Sequence, residues 1–298
     1  MSGLNIMTWN VRYFGHGTRG LRASNGWIRR LATAVAGMER APDVLALQEV
    51  ETRSLRAGLS GASQLERFAE ELSRALPDRT YRPLYFPAHR YALGDGPALY
   101  TTGLAMLISD HLEVLHDNSE GPHAITHIRA GRLAALKQAR IVAHVRLAVG
   151  QEALDLFNTH MSLPGFLEVG PHRIHSKMGH GSNQLAEVAE LQSVIEECRN
   201  GEHAVLMGDL NTAPASPAYN AIIENGWIDA HASYTGQTPT ILRKIATARF
   251  MHLRMHVDHV FATPEVGWTD FTSHSVDGAG PFAGLSDHAP KSGRLVLP

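Results

Sequence analysis

The sequence predicts an α/β fold in which mixed β-sheets carry helices on their outer faces. Segments with the apolar spacing of amphipathic helices alternate along the 298 residues with short apolar runs that are typical of buried strands. Some of these strand-like runs follow one another directly, which argues against a pure parallel barrel. The sequence has no internal repeat, low-complexity tract or clear linker, so residues 1–298 are predicted to form a single domain.

Helices are predicted where apolar spacing coincides with a capping signal. Ser63 and Glu66 form a capping box ahead of an apolar face, and Ser216-Pro217 is a cap followed by proline at the first helical position. Gly226 is expected to stop that short helix. Two further helices are predicted from apolar spacing alone, at residues 27–40 and 184–198.

The strands are predicted from apolar runs bounded by turn residues. They fall at residues 4–9, 44–47, 104–108, 141–149, 153–157, 204–207, 257–262 and 294–297. Residues 81–102 are interpreted as one strand with an irregular surface loop, and residues 235–254 as mostly loop. Residues 161–183 form a long connection rich in glycine and proline, and loops of that length are usually functional or mobile.

Composition and charge limit the classes of protein. The net charge of −2 provides no overall attraction for nucleic acid. Cys198 is the single cysteine, which excludes an intramolecular disulfide and favours a reducing compartment. No apolar stretch approaches the ~20 residues that span a bilayer. Since the first strand begins near Leu4, no signal core is expected, and a cytoplasmic location is predicted.

The segment Gly208-Asp209-Leu210-Asn211 follows a buried-strand run directly. Glycine allows the backbone to bend there. On an extended chain Asp209 and Asn211 would point the same way and place a carboxylate and an amide at the mouth of a sheet. The alternative is an ordinary Asx turn after a strand, which an isolated Asp-x-Asn would favour.

The same pattern recurs, which favours a functional role. Five other apolar runs also end on a polar group, and a sheet that aligns these strand ends would gather a set of carboxylates, amides and imidazoles in one cleft. The set is Asn10, Glu49, His160, Asp209, Asn211, Asp258, Asp287 and His288. Such ligands, without a thiolate, suit Mg²⁺ better than Zn²⁺.

The order of these motifs resembles the endonuclease/exonuclease/phosphatase superfamily. The matching segments run from residue 6 to residue 288: Thr8-Trp9-Asn10, Leu47-Gln48-Glu49, Asn158-Thr159-His160, Gly208-Asp209-Leu210-Asn211, Val257-Asp258-His259 and Ser286-Asp287-His288. The resemblance implies a four-layer α-β-β-α sandwich of two packed mixed sheets flanked by helices. It also implies Mg²⁺-dependent hydrolysis of a phosphate ester, with Mn²⁺ as a substitute.

Carried over by position, the resemblance implies a metal site and a water-activating base. Glu49 matches the principal metal ligand, with Asn10 and Asp287 beside it. Asp209 matches the residue that orients or deprotonates the attacking water. Asn211 matches the amide that holds the phosphate or the water.

The resemblance also implies two imidazoles at the substrate phosphate. His288 matches the one that binds the scissile phosphate, Asp258 the carboxylate that orients it, and His160 a second imidazole. Ser286-Asp287-His288 is not a hydrolase triad, because adjacent residues of an extended chain cannot line up as nucleophile, base and orienting group.

On the substrate side, Asn10-Val11-Arg12 is similar to the start of pancreatic-type deoxyribonucleases, where the arginine faces a backbone phosphate. Tyr100 is predicted to contact substrate. Thr101-Thr102-Gly103 stands where some of those enzymes carry a carboxylate that supports the second histidine, so His160 is not expected to have that partner. A basic rim is predicted at Arg12, Arg19, Arg22, Arg173 and Lys177.

Residues 161–183 admit two interpretations. His172, His175 and His180 would be candidate ligands for a metal, but their setting lacks a helix or other fixed ligand geometry. A solvated loop that closes over the substrate is the favoured interpretation.

Three functions remain open from the sequence. The leading one is a metal-dependent phosphodiesterase, with nucleic acid as one candidate substrate and hence endonuclease activity. The alternative is a phosphatase or phospholipase-like enzyme that acts on a small phosphorylated metabolite or a lipid head group. The third is a non-catalytic binding protein of the same fold. Fold alone does not choose among them, and no protein partner is evident.

Overall fold

Two mixed β-sheets pack face to face in the computed structural model of the chain, with helices on both outer faces. The structure describes residues 3–18, 23–52, 54–55, 57, 62–92, 98–126, 138–164, 177–277 and 280–298. The predicted four-layer α-β-β-α sandwich is therefore confirmed.

The elements follow in chain order. The strands are β1 (Gly3–Asn10), β2 (Val44–Val50), β3 (Tyr81–Ala92), β4 (Ala98–Ser109), β5 (Val114–Asp117), β6 (His123–Ala124), β7 (Ile141–Val149), β8 (Glu152–His160), β9 (Ala204–Asp209), β10 (Ile228–Asp229), β11 (Ala248–Phe250), β12 (Leu253–Met255), β13 (Asp258–Ala262), β14 (Gly267–Ser273) and β15 (Lys291–Val296). The helices are α1 (Asn25–Ala36), α2 (Gln64–Ala75), α3 (Ser182–Cys198), α4 (Pro217–Glu224), α5 (Ala230–Thr235) and α6 (Pro239–Leu242).

Each large sheet contains one parallel pair of strands at its centre. The first sheet has the order β14-β15-β1-β2-β4-β3, and the second has the order β10-β13-β9-β8-β7-β5 with β6 on β7. Strands β1 and β2 are parallel and joined through α1, and strands β8 and β9 are parallel and joined through α3. A parallel connection needs such a crossover. The two strands of each pair therefore end side by side, and the hydrogen bond from Asn10 at the end of β1 to Asp209 at the end of β9 shows that both pairs end at one edge of the sandwich.

Three apolar clusters correspond to the three interfaces between the layers. One fills the space between the sheets, with Met106 and Val145 fully buried. A second lies under α1 and α2, and a third lies under α3 and α4. Because a fully buried large apolar side chain contributes about 1.5–3 kcal/mol, these clusters hold the four layers together.

Helix starts follow the capping signals in the sequence. The Ser63–Glu66 capping box is present, with Glu66 N donating to Ser63 Oγ at 3.2 Å. Ser216 caps α4, with Pro217 at its first position. Helix α1 begins at Asn25, earlier than predicted, because Ser24 accepts a hydrogen bond from Trp27 N at 3.2 Å.

Residues 81–102 contain the predicted strand as β3, which has 12 residues and includes Pro83 and Pro87. Residues 93–97, where the predicted surface loop would fall, lie outside the described residues. Proline is tolerated there because β3 lies at the edge of its sheet. Within residues 235–254, which were predicted to be mostly loop, the structure contains helix α6 and the β11–β12 hairpin. Strand β14 was not predicted.

None of the helices that the structure describes is both long and apolar enough to cross a membrane.

Candidate active site

The polar groups that end the strands meet at the shared edge of the sandwich. Asn10 ends β1, Glu49 lies one residue before the end of β2, and His160 and Asp209 end β8 and β9. Antiparallel β13 and β15 begin at the same edge and bring in Asp258 and the segment that contains His288. Parallel pairing brings the strand ends together within each sheet, and the packing of the two sheets brings the two sets of ends together.

Gly208 allows strand β9 to pass close to β8 just before Asp209. Its φ is 143°, and an added Cβ would lie 2.0 Å from the Thr159 carbonyl oxygen. Any other residue would push the two parallel strands apart at the site.

The chain turns after Asp209 and does not continue in extended form. Asn211 has a φ of 49°, and its N–H donates to Asp209 Oδ1 at 3.1 Å, which is an Asx turn. The prediction that the two side chains project in parallel from an extended strand is therefore wrong. The Asn211 amide instead donates to the Met161 carbonyl at 2.8 Å, so it remains buried at the same strand ends.

Asn10 links the carboxylates of the two sheets. Its Nδ2 donates to Glu49 Oε1 at 3.2 Å within the first sheet and to Asp209 Oδ2 at 3.1 Å in the second. Below this contact, Gln48 Nε2 donates to Asn158 Oδ1 at 2.7 Å, and Asn158 Nδ2 donates to the Leu47 carbonyl at 3.1 Å. The sheets are thus joined by buried, geometrically specific hydrogen bonds directly beneath the site.

Glu49 departs from ordinary strand geometry. Its φ is 55°, and the pairing of β2 with β4 shifts register between Leu47 and Val50. A bulge of this kind redirects a side chain relative to the strand. Here it accompanies the approach of the Glu49 carboxylate to Asn10.

Two imidazoles lie next to Asp209. His288 Nδ1 is 3.0 Å from both carboxylate oxygens of Asp258, and its Nε2 is 3.7 Å from Asp209 Oδ2. His160 Nε2 is 3.4 Å from the same Asp209 oxygen. The bond to Asp258 fixes the His288 ring so that Nε2 faces the Asp209 side.

The electrostatics separate the roles of these groups. Burial, together with the Asp258 and Glu49 carboxylates, raises the pKa of Asp209 to about 7, against the opposing effects of His288 and Asn10. Burial also raises the pKa of Glu49. Burial lowers the pKa of His288, but Asp258 and Asp209 outweigh it and raise that pKa to about 10. Asp209 thereby combines the proton affinity of a base with proximity to an imidazolium.

The pKa of His160 is shifted in the opposite direction to that of His288. Burial, with the positive charges of Arg140 and His288, lowers the pKa of His160 well below its ordinary value. It lines a narrow cavity with Thr102, Gly103 and Arg140.

Arg12 lies on a strained turn at the rim. Arg12, Tyr13 and Phe14 have φ values of 45°, 54° and 52°. Residues other than glycine adopt such a positive φ at a cost of about 1–3 kcal/mol each. The turn directs Arg12 Nη1 to Asp287 Oδ2 at 2.9 Å and to His16 Nδ1 at 3.2 Å. In this structure the guanidinium faces a predicted metal ligand, and its predicted contact with a phosphate stays a prediction.

Tyr100 lies on β4, two residues before Thr102. Its ring stacks on Tyr91 at 5.3 Å between centroids and lies 6.0 Å from the His89 ring. Its predicted contact with substrate stays a prediction.

The donor set fits a hard divalent cation. Asn10, Glu49 and Asp287 carry amide and carboxylate oxygens, the ligand type that such a cation prefers. Burial is the main cause of the raised pKa of Glu49, and the Asp287 carboxylate, although it pairs with Arg12, raises that pKa as well. A second group, Asp209, Asp258 and His288, has ligand atoms within 4.8 Å of one another. Its members already contact one another through His288, so the first group is the better candidate for holding the metal.

Several residues at the site were not found from the sequence. Arg140 acts electrostatically on Glu49 and His160. Thr247 Oγ1 accepts from Asp258 N at 3.1 Å, and Ser286 Oγ donates to the Asn10 carbonyl at 2.7 Å. Ser286 lay within a matching motif, whereas Arg140 and Thr247 follow no pattern that marks a strand end. Among the predicted rim and loop residues, Arg19, Arg22, His172, Arg173 and His175 lie outside the described residues.

The family model of the Endonuclease/Exonuclease/phosphatase family matches residues 7–288. The chain belongs to this family and is a phosphoric ester hydrolase. The match extends from the first strand to His288 and so includes every strand end described above. No curated protein matches the sequence significantly.

Solved structures support the fold. An endonuclease/exonuclease/phosphatase from Beutenbergia cavernae superposes with a TM-score of 0.68 at 19% identity, over 100% of this chain and 72% of that chain. A mannosyl-6-phosphatase from Bacteroides thetaiotaomicron gives 0.61 at 16% identity, over 99% and 100%. The human Nocturnin catalytic domain, with bound sulfate, gives 0.60 at 15% identity, over 100% and 94%. At these identities the similarity shows the architecture alone.

Proposed function

We propose that residues 1–298 act as one cytoplasmic catalytic domain, an Mg²⁺-dependent phosphodiesterase with nucleic acid as one candidate substrate. The observation that carries the proposal is the environment of Asp209. This buried carboxylate has a pKa raised to about 7 and lies 3.7 Å from an imidazole that Asp258 orients. A base next to a cationic donor is what hydrolysis of a phosphate ester by water needs.

In this proposal Asp209 accepts a proton from the attacking water. Asn211 fixes the turn that holds Asp209 and contributes to holding the phosphate or the water. His288, kept cationic by Asp258, donates from Nε2 to a non-bridging phosphate oxygen. Neutral His160 contacts the same phosphate from the other side of Asp209. Charge that develops on the phosphate in the transition state would thus meet donors that are already oriented.

Glu49, Asn10 and Asp287 would hold the metal. Bound Mg²⁺, or Mn²⁺ in its place, would neutralise charge on the phosphate and lower the pKa of water. Arg12 on Asp287 would orient that carboxylate and, together with Tyr100, contact the substrate at the rim.

A substrate panel tests the proposal. Purified protein with Mg²⁺ or Mn²⁺ is assayed on plasmid DNA, RNA, bis-nitrophenyl phosphate and a set of phosphate monoesters, with Asp209→Asn as the control for contaminating activity. We expect diesters to be cleaved faster than monoesters. Faster cleavage of monoesters would support a phosphatase. If no ester is turned over, the third function, a non-catalytic binding protein, would be favoured.

Salt dependence separates a nuclease from an enzyme for small esters. If nucleic acid is the substrate, kcat/KM should fall with salt, and Arg12→Ala should lower the slope by about one unit. A small diester should show little salt dependence in the same experiment.

One observation favours a second candidate, a phospholipase-like enzyme. The β11–β12 hairpin exposes Phe250, Met251 and Leu253, which are 59%, 73% and 60% accessible. The hairpin is bound to the active-site segment, since Arg249 N donates to the Asp287 carbonyl at 2.7 Å and Ala248 bridges to His288. Contiguous exposed apolar groups beside a catalytic site suit a lipid surface.

A paired assay tests this second candidate. Phe250→Ser with Leu253→Ser should reduce hydrolysis of phospholipid vesicles and leave hydrolysis of a soluble head-group diester unchanged. Equal loss on both substrates, or no activity on vesicles by the wild-type protein, would exclude the lipid assignment.

A further inference from the structure

A glutamine is fully buried between the turn of residues 209–211 and the start of α3. Gln184 lies in the first turn of α3, and its accessibility is 0%. Its Oε1 accepts from Gly181 N at 3.2 Å, and this bond caps the helix. Capping of this kind uses one acceptor position only. The other three positions of the amide are therefore not explained by the helix start.

Backbone groups occupy all four hydrogen-bonding positions of the Gln184 amide. Its Oε1 also accepts from Gly179 N at 2.9 Å. Its Nε2 donates to the Ser162 carbonyl at 3.0 Å and to the Asn211 carbonyl at 2.7 Å. Because two partners are N–H groups and two are carbonyls, the orientation of the amide is fixed. One side chain thus joins three segments: the chain after β8, the start of α3 and the turn after β9.

The Asn211 carbonyl belongs to the turn that places Asp209. Asn211 has a φ of 49°, and its N–H donates to Asp209 Oδ1 at 3.1 Å. A residue other than glycine keeps such a conformation only when its surroundings hold it there. Gln184 holds the turn through the Asn211 carbonyl. The bond to Oδ1 leaves Oδ2 as the Asp209 oxygen that lies 3.4 Å from His160 Nε2.

Gln184 also links β8 and β9 at the point where their pairing stops. The last residues in register are His160 and Asp209. Just past this pair, Gln184 Nε2 binds one carbonyl from each chain, those of Ser162 and Asn211. An apolar side chain at position 184 would leave two buried carbonyls without these donors, which is unfavourable. The two chains would then no longer be held together beside Asp209.

We propose that Gln184 is a positioning residue that holds the turn of residues 209–211, and thereby keeps the Asp209 carboxylate oriented to accept a proton from water. This inference rests on the proposed function for its effect on turnover, but not for its effect on the turn. Since backbone groups already engage every polar position of its side chain, Gln184 acts through Asn211 and not by contact with substrate.

The test compares two variants of Gln184 with a matched control. Gln184→Met is similar in size and removes all four bonds. Gln184→Glu keeps the oxygen that caps α3, and its carboxyl group can donate at most one bond where two carbonyls need a donor. Gln192→Met is the control, because Gln192 is also a buried glutamine of α3 and accepts from Trp227 Nε1 at 3.0 Å. Thermal unfolding confirms that each variant folds.

The first readout is hydrogen exchange of backbone amides, followed by NMR on the protein without substrate. Two amides report on the turn: Asn211 N, and Leu210 N, which donates to the Val257 carbonyl at 3.0 Å. Relative to amides at the centre of α1, both should exchange at least about tenfold faster in the two Gln184 variants and stay unchanged in Gln192→Met. Wild-type exchange of these amides in every Gln184 variant that folds would overturn the proposal.

The second readout is turnover. Gln184→Met should lower kcat about tenfold while KM changes less than about twofold, as expected when a catalytic group is misplaced but substrate binding is kept. Wild-type kcat in this variant, or an equal loss of kcat in Gln192→Met, would overturn the link between the turn and the base. If the wild-type protein hydrolyses no phosphate ester, the proposed function fails, but hydrogen exchange still decides whether Gln184 holds the turn.

Discussion

The two ends of strand β8 each carry a histidine next to a buried aspartate, but the two aspartates differ in their surroundings. At the start of the strand, Asp155 accepts from His144 at 2.7 Å, from Arg146 Nε at 2.8 Å and from Asn200 N at 3.2 Å. Burial alone would raise the pKa of Asp155, yet these donors lower it below its ordinary value. Hydrogen-bond donors thus satisfy both oxygens of the Asp155 carboxylate, and we call this the saturated end of β8.

At the other end, His160 lies beside Asp209, which has two carboxylate neighbours, Asp258 and Glu49. Asn10 and the Asn211 N–H donate to Asp209, while Asp258 and Glu49 repel it, and its pKa rises to about 7. The same residue types therefore produce a carboxylate with a lowered pKa where donors are complete, and one with a raised pKa, as the proposed base requires, where anions are crowded. The count and charge of the neighbours, rather than the His–Asp pair itself, mark the functional end.

The comparison is tested most strongly by replacing each aspartate with asparagine. Asp209→Asn should keep the fold and lower the rate by at least ~10²-fold, because the base is lost. Asp155→Asn should keep the rate and reduce the free energy of unfolding by about 3 kcal/mol, because Arg146 loses its buried partner. Steady-state kinetics and urea unfolding of both proteins measure the two effects.

Near wild-type turnover by folded Asp209→Asn would exclude it as the base. A large loss of turnover in folded Asp155→Asn would show that the two ends are coupled, contrary to the comparison.

The next effect concerns the pair at the reactive end. If Asp258 acts by orienting His288, then Asp258→Ala, His288→Ala and the double variant should each lose a similar amount of kcat/KM, on the order of 10²-fold. A double-mutant cycle measures the coupling. Losses that multiply would mean that the two residues act separately.

A smaller effect is expected at the proposed metal ligand. Glu49→Gln removes a charge from a hard-cation site, so the Mg²⁺ concentration for half-maximal activity should rise about tenfold or more. The increase in melting temperature on adding Mg²⁺ should shrink in parallel. The same Mg²⁺ titration with Glu152→Gln, an exposed position at the saturated end of β8, is the control. Identical titrations of Glu49→Gln and the wild-type protein would remove Glu49 from the metal site.

Much of the architecture could be predicted because burial leaves a clear pattern. Apolar runs and capping boxes located most helices and strands, and polar residues at strand ends indicated the edge where Asn10, His160 and Asp209 meet. That inference works within each sheet because the two strands of a parallel pair end on the same side. That the two sheets present these ends at one edge is seen only in the structure. The family match gives the same fold for residues 7–288.

The remainder depends on tertiary context. Pro83 and Pro87 lie within β3, and only the edge position of that strand makes them compatible with it. The β11–β12 hairpin turns at Met251, with a φ of 54° and no glycine or asparagine to signal it. The electrostatic effects of Lys291 and Arg140 depend on which carboxylates and imidazoles surround them in the fold. A linear sequence pattern does not contain that information.

The smallest expected effect concerns one cationic side chain at each end: the buried Lys291, three residues after His288, and Arg146, which donates to Asp155. Burial lowers the pKa of Lys291 to about 8 in the folded protein, from an ordinary value of 10.5. Between these pH values the unfolded chain binds the proton more than the folded protein does, so the free energy of unfolding rises with pH. Below about pH 8 both states are protonated, and this contribution is flat. The cation at the other end is an arginine, a side chain that proteins do not deprotonate in this pH range.

The difference in unfolding free energy between the wild-type protein and Lys291→Met should therefore increase by about 1 kcal/mol from pH 8 to pH 9. The corresponding difference for Arg146→Met should stay constant over the same range. Ionisation of tyrosines in the unfolded chain is common to all three proteins and cancels in each difference. Urea unfolding at closely spaced pH values measures both. A flat difference for Lys291→Met would mean that the buried lysine keeps an ordinary proton affinity, and that its carboxylate neighbours fully offset the cost of burial.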